Sequence, residues 1–319
     1  MNDPAPDPTT TATAATAATD RGGLMLGATA YALWGLLPIY FKMLKSVAPV
    51  AIVANRILWS ILVLAALLAL RRGWPAVRRA LGHRRTTLLL ALSAVLIATN
   101  WLFYVYAINS GHILAGSLGY YLNPLANILL GRFVLKEQLS RLQWGAVGIA
   151  AAGIALLAAH ALGQLWISLM LCGSFACYGL VRKIVAADAL TGLAVETGFL
   201  LPFALAFLAV SHTPDAPWLG GTTAVSLLLI ASGIISTTPL LLFTVAARRL
   251  PYSTMGMLQF LAPTIQFLLA VFLYGEPFSG VQAIAFAAIW SALALYVVAL
   301  VSGARRLRSE ADAAMLGEC

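Results

Sequence analysis

The chain is built of long apolar runs separated by short polar punctuation. About 20 apolar residues cross a bilayer as a helix, and ten runs of that length stand at roughly 24–44, 50–70, 86–108, 113–135, 142–160, 164–182, 191–210, 224–247, 252–274 and 280–302. The connections carry turn residues, as in NSGH at 109–112 and HTPDAPWLGG at 212–221. The pattern predicts an all-α integral membrane protein of ten transmembrane helices. The first residues, MNDPAPDPTTTATAATAATD, are low in complexity and lack the basic start and apolar core of a signal peptide. They read as a disordered cytoplasmic tail over 1–21, matched by a second tail over 304–319.

The apolar runs repeat. YYLNPLANILLGRFVLKEQLS at 120–140 lies on QFLAPTIQFLLAVFLYGEPFS at 259–279 with a shift of 139. Pro124 then meets Pro263, Phe133 meets Phe272, Glu137 meets Glu276 and Ser140 meets Ser279, while Asn127 meets the similar amide Gln266. The same shift sets Thr99 on Thr238 and Ala107 on Ala246. The repeating unit is five spans, over 22–161 and 162–303. Five is odd, so the second copy enters the membrane from the opposite side. Inverted repeats of this kind enclose substrate sites near the midplane of secondary transporters.

Composition agrees: 61% of the 319 residues are hydrophobic and 10% charged, against about 25% charged in soluble domains. The net charge of +9 would suggest nucleic acid in a soluble chain, but its distribution reads as topology. Arg21, Arg71, Arg72, Arg78, Arg79, Arg84, Arg85, Arg132, Lys136, Arg141, Arg182, Lys183, Arg248, Arg249, Arg305, Arg306 and Arg308 fall in alternate connections or at the chain ends, seventeen of the twenty basic residues. By the positive-inside rule both termini are cytoplasmic. Anionic lipid headgroups are the expected partners of the arginines at 71–85, and no nucleic acid is expected. Cys172, Cys177 and Cys319 form no metal-binding or disulfide pattern, so no cofactor and no metal are expected.

Charge inside a span is costly and usually functional. Arg56 lies about two turns into the second span, and Glu196, the one acid well inside a span, about one and a half turns into the seventh. They correspond under the repeat with a shift of 140. Arg56 is a candidate for an anionic group or a carbonyl, Glu196 for a proton or cation, and an ion pair between them is not expected, since inversion sets them at different depths. The alternative for each is to reach its own interface or a backbone carbonyl. Trp34, Asn100, Tyr104, Tyr120, Asn123, Tyr178 and Gln259 complete a candidate pathway whose aromatic walls suit a small amphiphilic solute. Pro124, Pro202, Pro239 and Pro263 are expected kinks. Glu137 and Glu276 are expected to cap the helices that follow them. His83, His112, His160 and His212 fall in connections or at span ends and read as solvated.

Several blocks resemble a known family. AYALWGLLPIYFK (30–42), ANRILWS (54–60), TNWLFYVYAIN (99–109), GSLGYYLNPLANILLG (116–131), CYGLVRK (177–183), ETGFLLP (196–202) and TTPLLLF (237–243) are similar to RarD-type permeases of the EamA branch of the drug/metabolite transporters. The resemblance implies a ten-helix inverted-repeat transporter of the bacterial inner membrane. The expected function is therefore secondary transport of a small organic metabolite or drug, with export the expected direction and proton coupling a candidate. Two alternatives stand beside it. An intramembrane lipid-modifying enzyme needs clustered acids, a His dyad or a metal motif, which the sequence lacks, so the chain is not expected to be an enzyme. A non-transporting sensor or assembly protein would tolerate alanine at Asn100, Asn123 and Glu196.

The orientation is open to direct test. Alkaline phosphatase fused after Lys45 is expected to be active outside the inner membrane, and the same fusion after Gly82 inactive; the opposite pattern would invert the topology.

Overall fold

The computed structural model describes residues 20–109, 113–159, 163, 165–211, 221–275 and 279–317, with the side chains at 105, 108–109, 113–117 and 304–317 excepted. Glu276, His112, His160, His212 and most of the N-terminal tail lie outside the described residues. The elements in chain order are α1 (Arg21–Met43), α2 (Pro49–Leu70), α3 (Trp74–Gly82), α4 (Arg84–Asn109), α5 (Ile113–Phe133), α6 (Arg141–Ala158), α7 (Leu165–Ile184), α8 (Ala189–Val210), α9 (Thr223–Arg249), α10 (Tyr252–Gln259), α11 (Leu261–Leu268) and α12 (Gly280–Gly317), with a π-type turn at Leu269–Leu273. Among the described residues nine segments are long and apolar enough to cross a membrane. The expected fourth span forms α5, 21 residues long. Large apolar side chains stand on the outer surface, among them Leu70, Phe203, Val210 and Phe272, as lipid rather than water requires.

Polar residues set the helix starts. The Asp20 side chain accepts from Gly23 N, that of Asp188 from Thr191 N and that of Thr222 from Val225 N. Ser140 and Gln143 form a capping box at α6, each side chain satisfying a backbone N–H of the other. Ser279 and Gln282 exchange the same two bonds at α12. The backbone is left-handed at Lys136 (φ 57°) and at Gly275 (φ 66°). The shift of 139 thus recurs in local geometry, since Lys136 to Gly275, Ser140 to Ser279 and Gln143 to Gln282 are all that far apart.

The closest helix pairings all join a helix before residue 161 to one after it: α6 with α12, α5 with α7 and α10, α2 with α8 and α9, α1 with α9 and α11, and α4 with α7. Exchanging equivalent spans maps most of this set onto itself: α1–α9 becomes α4–α7, α1–α11 becomes α5–α7, and α6–α12, α5–α10 and α2–α8 return to themselves, while α2–α9 becomes the looser α4–α8 contact. α7 is the hub, with 61% of its span buried against 28–39% for the others. Its aromatic face packs Phe175 and Tyr178 against Phe243, Trp34 and Tyr31, and Tyr178 stacks on Phe243 at 6.3 Å and 15°.

Several expectations change. The arginine-rich segment at 71–85, read as a connection, contains α3. Pro75 presets the backbone in its first turn, and Val77 and Ala80 dock on Leu90, Val185 and Val195, leaving all six arginines exposed. The helix at the C-terminal end runs through Gly317, beyond the apolar stretch that closes at Gly303. Of the four expected kinks only Pro263 coincides with a break. Its ring nitrogen cannot donate to the Gln259 carbonyl, one turn back, and α10 ends at Gln259. Helix assignment is continuous through Pro124, Pro202 and Pro239. Pro202 is exposed on the outside of the bundle, while Pro124, Pro239 and Pro263 are buried. Gly256 lies so close to Pro124 O that a Cβ would come within 2.6 Å, which lets α5 and α10 cross backbone to backbone.

Glu137 caps a helix start, but not that of α6, which Ser140 already serves. Its carboxylate accepts from Tyr252 N at 2.5 Å, Ser253 N at 2.9 Å and Ser253 Oγ at 2.7 Å. The left-handed turn at Lys136 folds it back onto α10, whose own N-cap is Pro251 and offers no side-chain acceptor. Arg182, Lys183 and Arg248, read as loop cations, are also engaged. Lys183 donates to Ala247 O and Leu250 O, and Arg248 to Val185 O and Ala187 O. The ends of α7 and α9 thus cap each other.

Replacing Glu137 by alanine leaves two backbone donors of α10 unmet and is expected to cost about 2–3 kcal/mol. Unfolding in detergent should show the loss, whereas Arg141→Ala, at an exposed site, should leave the midpoint unchanged.

Candidate functional site

Two polar bridges cross the bundle at equivalent places. On α2, Arg56 Nε donates to Ser236 Oγ of α9 at 2.8 Å, and one turn later Ser60 Oγ donates to Gly233 O at 3.3 Å. On α8, Glu196 Oε1 accepts from Ser93 Oγ of α4 at 2.6 Å. In each, a charged side chain of the second span of one half meets a serine on the third span of the other. Serine suits this position, because its short hydroxyl meets a charge without holding two packed helices apart.

The two charges differ in their surroundings. Glu196 is 1% exposed and pairs with Arg182, itself 0% exposed, at 3.1 Å. Arg182 Nη2 also donates to Ala189 O at 3.1 Å. Gly192 makes room for it, since a Cβ there would lie 2.0 Å from Nη1. Arg182 Nε, Glu196 Oε2 and the Tyr178 hydroxyl remain unpaired, although Tyr178 lies beside Glu196 and Thr244. Arg56 is partly exposed and has no carboxylate within pairing distance among the described residues. It stands 5.1 Å from the Trp101 ring centroid and 5.9 Å from that of Phe41. Tyr40, Tyr104 and Tyr120 are within electrostatic reach, and the Tyr104 and Tyr120 rings meet edge-on at 5.7 Å.

Arg56 and Glu196 line one cavity, together with Ser60, Trp101, Tyr178 and Ser236. Its free volume is about 20 Å³, room for a water and too little for an organic solute. Around it, Leu193, Leu200 and Leu240 supply apolar wall. The charged pair expected from the sequence therefore shares a chamber without forming an ion pair. Among the described residues no three His, Cys, Asp or Glu side chains converge as metal ligands would.

The other candidates divide. Tyr178 lines the cavity, whereas Tyr104 and Tyr120 lie within electrostatic reach of Arg56 but are not among the cavity-lining residues. Trp34 sits in the aromatic cluster beside Tyr178, and the Gln266 amide donates to its carbonyl at 3.3 Å. Asn100 ties α4 to α7, donating to Leu171 O at 2.8 Å and Ser174 Oγ at 3.3 Å. Gln259 accepts from Asn127 Nδ2 at 2.6 Å where α5 crosses α10. Asn123 is fully buried and neither amide atom has a partner among the described residues. Ser93, Arg182 and Ser236 were not singled out from the sequence. A signal existed for Arg182: Gly192 precedes Glu196 by one helical turn on the same face, and a glycine there makes space for a large partner.

Comparison with known proteins agrees with this architecture. The model of the EamA-like transporter family matches residues 21–159. Protein RarD of Salmonella typhimurium is 44% identical over 286 residues, covering 87% of this chain and 95% of its own. A protein of Vibrio cholerae named as an uncharacterized transporter is 43% identical over 279 residues, covering 87% and 92%. One crystal structure of a protein 22% identical superposes with a TM-score of 0.68, over 86% of this chain and 97% of that one, and shares the fold. With these helices and relatives matching along nearly their whole length, the chain belongs to the RarD-type permeases of the EamA-like transporter family, in the drug/metabolite transporter superfamily.

Proposed function

We propose that the chain is a secondary transporter, not an enzyme, which exports a small organic solute across the bacterial inner membrane by alternating access. Both termini lie in the cytoplasm in this reading, and the two five-helix units are inverted about the cavity. The observation that carries it is that cavity: a chamber between the halves lined by two charged residues at equivalent positions. Further unmet polar atoms support a wet interior. Asn123, Asn127 Oδ1, Thr237 Oγ1 and Glu196 Oε2 are buried without protein partners, and each such group costs roughly 1–3 kcal/mol unless water or a ligand meets it.

The 20 Å³ of free space means that the described conformation is closed around the site. Solute passage then requires the helices joined by Arg56–Ser236 and Glu196–Ser93 to separate. These bonds are well placed to break and reform, since each is a single hydrogen bond across the interface between the halves. Glu196 is the candidate coupling group. A proton on its carboxyl group would weaken its hold on Arg182 and on Ser93 together, so protonation and helix separation would favour each other. The exposed arginines Arg71, Arg72, Arg78, Arg79, Arg84 and Arg85 around α3 lie where anionic headgroups would meet them, which would fix the depth of the bundle in the membrane.

The coupling proposal has a specific mutational signature. Glu196→Gln alone strands the buried Arg182 charge and is expected to destabilise the fold by about 3–5 kcal/mol. The double variant Glu196→Gln/Arg182→Gln removes both charges and should recover most of that loss in a detergent unfolding assay. In proteoliposomes the double variant should still move solute, but without response to an imposed pH gradient. Retention of gradient-driven transport by the folded double variant would remove Glu196 as the coupling group.

A further inference from the structure

We propose that the transported solute carries an anionic group, in the simplest case a carboxylate, and that Arg56 receives it. The inference rests on the transporter reading above and names the chemistry of its substrate.

The two arginines inside the bundle make the contrast. Arg182 is closed: fully buried, neutralised by Glu196 and held to the Ala189 carbonyl. Arg56 is open: partly exposed, with Nε on Ser236 and no protein partner on Nη1 or Nη2 among the described residues. Those two nitrogens form the fork that meets both oxygens of a carboxylate. Ser236 on Nε, and Trp101 and Phe41 beside the guanidinium, fix the group while leaving that edge free.

Charge balance points the same way. Arg182 and Glu196 cancel, so Arg56 leaves the chamber one positive charge in excess among the described residues. An unpaired cation inside a membrane bundle is costly, and an arriving anion offsets that cost. A cationic solute would meet repulsion, since Glu196 is already occupied by Arg182. The Trp101 ring and the leucines of the cavity provide a wall for a planar or apolar body attached to the anionic group. Neutral and cationic analogues of one shape should therefore be discriminated at this one residue.

The test uses benzoate, benzamide and benzylamine, which share a ring and differ in charge. Binding to the purified full-length protein in detergent is measured by calorimetry at neutral pH for the natural chain, Arg56→Gln and Arg56→Lys. Benzoate is expected to bind at least about tenfold more tightly than benzamide, the share of one charge-assisted pair. Arg56→Gln should erase that ratio without changing benzamide, and Arg56→Lys should retain part of it. If Arg56→Gln fails to fold, Ser236→Ala, which leaves the fork intact, should keep the ratio while Arg56→Lys lowers it. A preference for benzamide or benzylamine, a ratio that survives Arg56→Gln, or no binding by any of the three overturns the inference. Release of the best-binding member from proteoliposomes, against protein-free liposomes, separates the two readings. Transport of a neutral or cationic member independent of Arg56 overturns the anion site alone. Binding of benzoate through Arg56 without any release overturns transport and leaves the site.

Discussion

Hydrocarbon offers no hydrogen bonds, so every polar group that enters this bundle must find a partner within it. That constraint organises the structure. Backbone groups are satisfied by helix formation, and polar side chains gather where helices of the two halves face each other. Ser93 with Glu196, Ser236 with Arg56, Asn127 with Gln259 and Asn100 with Ser174 all lie on such contacts. Lipid-facing surfaces are left to leucine, valine and phenylalanine. The chamber between Arg56 and Glu196 lies on this polar seam between the halves.

The seam is not uniform in strength. At the end of α5 it is dense, where the Glu137 carboxylate closes the start of α10 with three bonds; within the second half, Lys183 and Arg248 tie the ends of α7 and α9 together. Around Arg56 it is sparse, with a single bond to Ser236 and two free guanidinium nitrogens. Buried ion pairs return little net stability after desolvation, but breaking one is expensive. The Arg182–Glu196 pair ties α7 to α8 within the second half, while Arg56 reaches across to α9 through one side-chain bond. Equivalent positions in the repeat thus have different surroundings.

Much of this architecture was legible in the sequence, because a bilayer reduces the problem to segment length, charge placement and repetition. The apolar runs located the membrane-crossing stretches to within a few residues, and the shift of 139 set Ser140 on Ser279, which the structure shows starting two helices in the same way. Three-dimensional pairing was less accessible. Arg182 follows an apolar run and precedes a lysine, the signature of a membrane-edge cation, and only its contact with α8 reveals its burial. Glu137 sits three residues before a helix start that another residue caps, and its true target lies 115 positions away. Proline marks a possible break but not its extent: Pro263 has one where Pro124, its counterpart, does not. α3 escaped notice because nine residues containing two arginines carry too short an apolar stripe.

The most direct test of the central claim is the accessibility of the chamber from both sides of the membrane. With Cys172, Cys177 and Cys319 replaced by serine, Thr197→Cys places one thiol on the cavity wall and Leu62→Cys places one on the lipid face. A membrane-impermeant thiol reagent should modify the Thr197 variant in right-side-out and in inside-out vesicles, and the Leu62 variant in neither. Modification of the Thr197 variant from one side only, or from neither, would contradict a chamber that opens alternately to the two faces.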